Sequence, residues 1–192
     1  MNNKFVFLIF ILGLFSEFAY SSDAVGIDSF VSESEQQQMW LKIATDSKSF
    51  AIMTTAVDLD KVKVIGGKKE INDELDTARL AYFITVDAYG NIIESFSFFE
   101  MNPNNSCNSI FDISDNEFIT VNDKFVKVTK TCFVNLKKHG FVTATSEGKD
   151  YITKTLLNNF IIKINGFSLT SKDFKELYEE AQELKRSLEN AI

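Results

Sequence analysis

The chain has one histidine, one proline, one tryptophan and two cysteines in 192 residues, and these scarcities narrow what it can do. With His139 alone, no histidine-based metal cluster can be assembled. Cys107 and Cys132, about 25 positions apart, lack the close pairing that zinc sites use. No metal ligands and no cofactor are therefore expected. A G-x-S-x-G elbow and a local cysteine-protease signature are also missing, so His139 has no nucleophile to serve. Within Lys137-Lys138-His139-Gly140 it reads as part of an exposed turn. Gly66-Gly67-Lys68-Lys69 lacks the spacing and the following Ser or Thr of a phosphate-cradling loop, and reads as a tight turn. No catalytic residue is expected.

Long apolar runs are scarce beyond the N-terminus. Crossing a bilayer takes roughly 20 apolar residues, whereas Phe160-Ile161-Ile162 is broken at once by Lys163. Basic clusters are scarce too. The formal net charge is −7, and the densest group, Lys61, Lys63, Lys68 and Lys69, is followed directly by Glu70, Asp73, Glu74 and Asp76. That balance argues against nucleic acid and against anionic membranes, both of which need a basic face.

What is present begins with Lys4 and an unbroken apolar run from Phe5 to Phe15, followed by Ser16-Glu17-Phe18-Ala19-Tyr20-Ser21. One positive charge, an apolar stretch and small residues at Ala19 and Ser21 form the pattern of a secretory leader, cleaved between Ser21 and Ser22. Residues 1–21 are accordingly assigned to the leader, 22–38 to a polar arm rich in Ser, Asp, Glu and Gln, and 39–192 to a single domain. With the leader gone, no membrane insertion is expected. The destination is the periplasm or the cell exterior, where Cys107 and Cys132 would pair.

The domain reads as α+β and β-dominated, an antiparallel sandwich of about eight strands with a C-terminal α-helix. Short segments rich in β-branched and aromatic residues recur at 39–45, 49–57, 61–65, 79–86 and 92–100, separated by Asp, Gly, Asn and Lys. Asp87-Ala88-Tyr89-Gly90-Asn91 supplies the residues of a hairpin turn. Asn122-Asp123 does the same between 117–121 and 124–130. Alternation places Ile92, Glu94, Phe96, Phe98 and Glu100 on one face, with Ile93, Ser95, Ser97 and Phe99 on the other.

A short helix capped by Ser146 should run through Tyr151, Ile152, Thr155 and Leu156, ahead of a strand over 160–165. A longer one is expected over 171–190, capped by Thr170 or Ser171, with Phe174, Leu177, Tyr178, Ala181, Leu184 and Leu188 at three- and four-residue intervals. That stripe would dock on its own domain. It also fits a minimal heptad seam, which makes the helix a candidate interaction surface; oligomeric state is left open.

Paired carboxylates can drive glycoside hydrolysis, but Asp58, Asp60, Asp73, Glu74, Asp76, Asp87, Asp112, Asp115 and Glu117 fall mostly in turns, where such groups bond local amides. Asp112 to Asp123 has the acid spacing of a calcium loop but carries Glu117 where the sharp turn needs Gly.

Trp40 opening a strand, Ser49-Phe50-Ala51 in the next, Ser106-Cys107-Asn108, Cys132 after a hairpin, and Gly166-Phe167-Ser168 before the terminal helix form an ordered set. It resembles that of small exported β-sandwich proteins of Gram-negative bacteria, the invasion-associated locus B type, from Trp40 to Leu177. The resemblance implies a periplasmic or secreted non-enzymatic protein with no catalytic residues to carry over. The expected function is thus binding, with an unidentified protein partner. The alternatives are an inhibitor or immunity-type protein that neutralises a hydrolase or toxin, and a carboxylate-dependent hydrolase.

Overall fold

The computed structural model describes residues 40–45, 48–57, 63–65, 68–70, 77–134 and 136–191. The leader, its cleavage point at Ser21 and Ser22, the arm 22–38 and the turn at Gly66-Gly67 lie outside the described residues. Among the described residues, eleven strands and two α-helices follow in order. They are β1 Leu41–Thr45, β2 Ser49–Val57, β3 Lys63–Ile65, β4 Lys68–Glu70, β5 Thr77–Val86, β6 Ile92–Glu100, β7 Ile113–Val121, β8 Lys124–Phe133 and β9 Lys138–Thr143, then helix α1 Ser146–Asn158, β10 Ile161–Ile164, β11 Phe167–Thr170 and helix α2 Phe174–Asn190. A 3-10 turn spans Pro103–Asn105.

The β-dominated reading holds, as does the C-terminal helix. Nine strands form one sheet in the order β1-β2-β5-β6-β9-β8-β7-β10-β11, and β3 and β4 form a separate antiparallel pair. Every pairing is antiparallel. The sheet is not closed, yet β11 comes to lie against β2 near the opposite end of the order. For that to happen the sheet must curl, as the right-handed twist of strands favours. Trp40 ties the two ends together. Its indole Nε1 donates to the Thr170 carbonyl at 2.8 Å and its backbone N–H to the Lys172 carbonyl at 3.2 Å.

Both expected hairpins form. In the β5–β6 turn, Asp87 Oδ1 accepts from the N–H groups of Tyr89 and Asn91, both at 2.8 Å, and Gly90 takes φ +84°, which costs a glycine little. In the β7–β8 turn, Asn122 and Asp123 sit at φ +44° and +66°. The calcium-loop segment is instead strand β7, interrupted by a bulge between Ser114 and Glu117 with Asn116 at φ +71°.

Alternation decides where the core sits. Phe50 and Ile52 of β2, Leu80 and Tyr82 of β5, Phe96 and Phe98 of β6, Val126 and Val128 of β8 and Leu169 of β11 all face inward and are buried. Helices α1 and α2 seal this concave side with Ile152, Leu156, Phe174 and Ala181. Each buried aromatic or aliphatic side chain contributes about 1.5–3 kcal/mol relative to exposure.

Three local expectations need correction. Residues 138–143, the first part of which reads as a turn, form β9, paired with both β6 and β8. Gly140 permits this: a Cβ there would meet the Phe133 ring and lie 2.7 Å from Cε1 of Phe99. Gly140→Ala is therefore expected to cost about 2 kcal/mol through overpacking, measured as a fall in midpoint on thermal unfolding. Helix α1 is capped by Thr145, whose Oγ1 accepts from the Gly148 N–H at 3.1 Å, not by Ser146. Helix α2 starts after Asp173, which makes no side-chain cap. Ser171, expected to cap it, is already engaged, its N–H with the Phe160 carbonyl and its hydroxyl with the Asn159 carbonyl.

Candidate functional site

The most heavily bonded ionisable group described is Glu94, placed by β6 on the inner face beside Phe96. Its side chain is 7% exposed. Tyr82, diagonal to it on β5, donates its hydroxyl to Oε1 at 2.6 Å. Helix α1 brings Lys149 to Oε2 at 2.7 Å, and α2 brings Lys185 to the same oxygen at 2.9 Å. Gln182 of α2 donates to both the Tyr82 oxygen, at 2.7 Å, and Glu94 Oε1, at 3.0 Å. One carboxylate thus joins the sheet to both helices.

Burial alone would raise the Glu94 pKa, but hydrogen bonds from Lys149, Tyr82 and Lys185 outweigh it and hold the group at about 2. Burial pushes the Tyr82 hydroxyl well above its usual range, and the Glu94 charge pushes it further. Burial raises Tyr178 as well, again with Glu94 adding to it. A carboxylate held that low stays ionised and does not exchange protons near neutrality, so its chemistry is that of a tie. An open depression of about 280 Å³ adjoins it, lined by Ile92, Glu94, Ser95, Thr143, Thr145 and Lys149 among others.

The tie has a pH signature. An ordinary Glu ionises near 4.5 and this one near 2. The contribution to stability is therefore complete above about pH 4.5 and is lost as pH falls toward 2. Glu94→Gln is expected to cost about 2 kcal/mol at neutral pH, because Lys149 and Lys185, 19% and 27% exposed, can partly rehydrate. Urea unfolding should show that gap shrink by about half at pH 3.

A second cluster surrounds the disulfide. Cys107 and Cys132 are bonded, with Cα atoms 5.7 Å apart, as the sequence led us to expect. Cys132 pairs across the ladder with His139, which is 7% exposed and lies in β9, correcting the exposed-turn reading. His139 Nε2 is 3.2 Å from Asp112 Oδ2. Burial, then Lys130, lowers its pKa against the pull of Asp112.

The remaining site residues sort plainly. On α2, Phe174 and Ala181 are buried, and Leu177, Tyr178, Leu184 and Leu188 pack against the same core, so the candidate interaction stripe is committed to the sheet. Asp87, Asp115 and Glu117 bond locally, to Asn91, Thr129 and Ser114. Asp58, Asp60, Asp73, Glu74 and Asp76 lie outside the described residues. Among the described residues, no group of three or more His, Cys, Asp or Glu could hold a metal ion, and no helix is long and apolar enough to cross a membrane.

Sequence reasoning missed one surface. Phe118 on β7 and Phe125 on β8 are 56% and 77% exposed and meet edge to face at 6.5 Å on the outer side of the hairpin. The signal was visible in the alternation of β8, where Phe125 stands opposite in phase to buried Val126 and Val128.

Compared with known proteins, the chain matches no family model, no curated protein and no solved structure.

Proposed function

We propose that this chain is an exported, non-enzymatic binding protein of the periplasm or cell exterior that engages a protein partner through the outer face of the β7–β8 hairpin. The observation that carries the reading is the exposed Phe118–Phe125 pair. Two large apolar rings held in mutual contact on a hydrogen-bonded hairpin resist collapse into the domain, and such anchors are characteristic of interfaces. The leader pattern, the Cys107–Cys132 bridge and the resemblance to invasion-associated locus B proteins support the exported setting.

The test is site-specific photo-cross-linking from position 125 in cells that export the chain. A discrete adduct at the exported fraction, abolished by Phe118→Ser, is the expected result. Export without an adduct would overturn the binding surface, and an unprocessed chain with free thiols would overturn the setting. The runner-up, an inhibitor of a hydrolase or toxin, draws on the net charge of −7, which suits a basic enzyme cleft. It predicts that the adduct weakens steeply with salt.

A further inference from the structure

Asn165-Gly166 is the only Asn-Gly pair in the chain. It makes the two-residue turn between β10 and β11, where Ile164 pairs with Phe167, and it takes φ +48° at Asn165 and +88° at Gly166. A hairpin turn with positive φ at both positions favours this pair of residues. The Asn165 side chain also reaches beyond its own hairpin. Its Oδ1 accepts from the Thr120 N–H at 2.9 Å and from the Thr120 hydroxyl at 3.3 Å, while its Nδ2 donates to Glu100 Oε1 at 2.8 Å. The Asn165 N–H donates to the Thr120 carbonyl at 3.1 Å. One carboxamide thus joins the β10–β11 turn to β7 and β6, and it uses both of its capacities, an acceptor toward Thr120 and a donor toward Glu100. The ladder between β7 and β10 is short, with Ile164 paired to Val121 and Lys163 bonded to Asn122 beside it. The carboxamide is therefore a sizeable part of the join.

We propose that Asn165 is a covalent modification site, at which loss of the amide unfastens the β10–β11 hairpin from β6 and β7 irreversibly. The chemistry needs water and no enzyme. The Gly166 backbone nitrogen gives up its proton and attacks Asn165 Cγ. The new C–N bond closes a cyclic imide, and the carboxamide nitrogen leaves with that proton as ammonia. Water then opens the ring at one carbonyl or the other, leaving aspartate or isoaspartate. Glycine suits the attack because it has no Cβ to hinder its nitrogen, whereas Asn105-Ser106 and Asn108-Ser109 set a bulkier residue in that place. In the closed fold the carboxamide is engaged by Thr120 and Glu100, so the reaction waits on local opening of the hairpin. Once it has occurred, the donor to Glu100 is gone and a carboxylate stands there instead. Like charges that close repel, and the iso form lengthens the backbone of the turn as well. The join cannot then be remade. This holds whatever partner the β7–β8 hairpin takes.

The test incubates purified, oxidised protein in mildly alkaline buffer, with and without urea, and follows the amide-to-acid mass change in every asparagine-containing peptide. Acid is expected first in the peptide containing 165–166, as a mixture of aspartate and isoaspartate, and about tenfold or more slowly without urea than with it. Hydrogen exchange of the Asn165→Asp variant should show the amides of Thr120, β10 and β11 exchanging about tenfold faster than in the parent, while the pairing of β5 with β6 keeps its protection. Acid forming first at another asparagine, or equally fast in both buffers, would overturn the proposal. So would unchanged exchange in Asn165→Asp. If that variant does not fold, the same exchange measurement decides on the aged protein, separated by charge from the unaged.

Discussion

Replacing Cys107 and Cys132 together by serine is expected to lower stability by about 3 kcal/mol without changing the strand content. The chain-entropy estimate for a loop of this size is about 3.5 kcal/mol. Non-covalent ties across the same loop remain and trim the effect: the Cys107 N–H bonds the Lys137 carbonyl at 3.1 Å, and the Asn105 carboxamide bonds the carbonyls of His139 at 2.8 Å and Glu100 at 3.1 Å. The variant should therefore fold to the same structure and unfold at lower denaturant. Because Cys132 is fully buried and Cys107 is 4% exposed, the native bridge should also resist a mild reductant until the domain opens. Equilibrium urea unfolding of oxidised, reduced and doubly substituted protein measures both effects. An unchanged midpoint would mean that the 101–112 segment is held by its hydrogen bonds alone.

How much of this could be read in advance follows from the range of each interaction. The β5–β6 and β7–β8 hairpins were legible because turn chemistry is local: Asp87 with Asn91, and Asn122 with Asp123, carry the geometry themselves. The stripe on α2 was legible because a helix writes its buried face at a fixed period. Strand β9 was not, because Lys138-His139-Gly140 is turn-like in composition, and only the Phe99 and Phe133 rings, distant in sequence, require the glycine. The partial alternation of 92–100 also had a physical cause that the sequence did not disclose: both faces of β6 are buried, by separate clusters, so no polar side needed to appear. Glu94 was visible as a carboxylate in phase with Phe96 and Phe98, but its partners Lys149 and Lys185 lie 55 and 91 residues away. No short pattern encodes that convergence, and the same is true of the curl that brings β11 against β2.

The largest single effect is expected at Phe174, where Phe174→Ala should cost about 4 kcal/mol. Its ring is fully buried at the start of α2, 4.8 Å from the Trp40 ring, 5.5 Å from Tyr178 and 6.2 Å from both Tyr82 and Phe96. It therefore fills the space where Trp40, the middle strands and helix α2 meet. Deleting it leaves a cavity that rigid strands on one side and a helix tied through Glu94 on the other cannot readily collapse, which places the cost toward the high end for such a truncation. Phe174→Leu keeps most of the volume and should cost about 1.5 kcal/mol. Trp40 is the only tryptophan, so its emission reports on this junction directly. Thermal unfolding followed by tryptophan fluorescence and by far-ultraviolet circular dichroism should give coincident, lowered transitions for Phe174→Ala, because a single domain of this size unfolds as one cooperative unit, with Trp40 and α2 parting from the sheet as it melts. A fluorescence transition that preceded the loss of strand signal would instead show that Trp40 and α2 detach from a sheet able to stand without them.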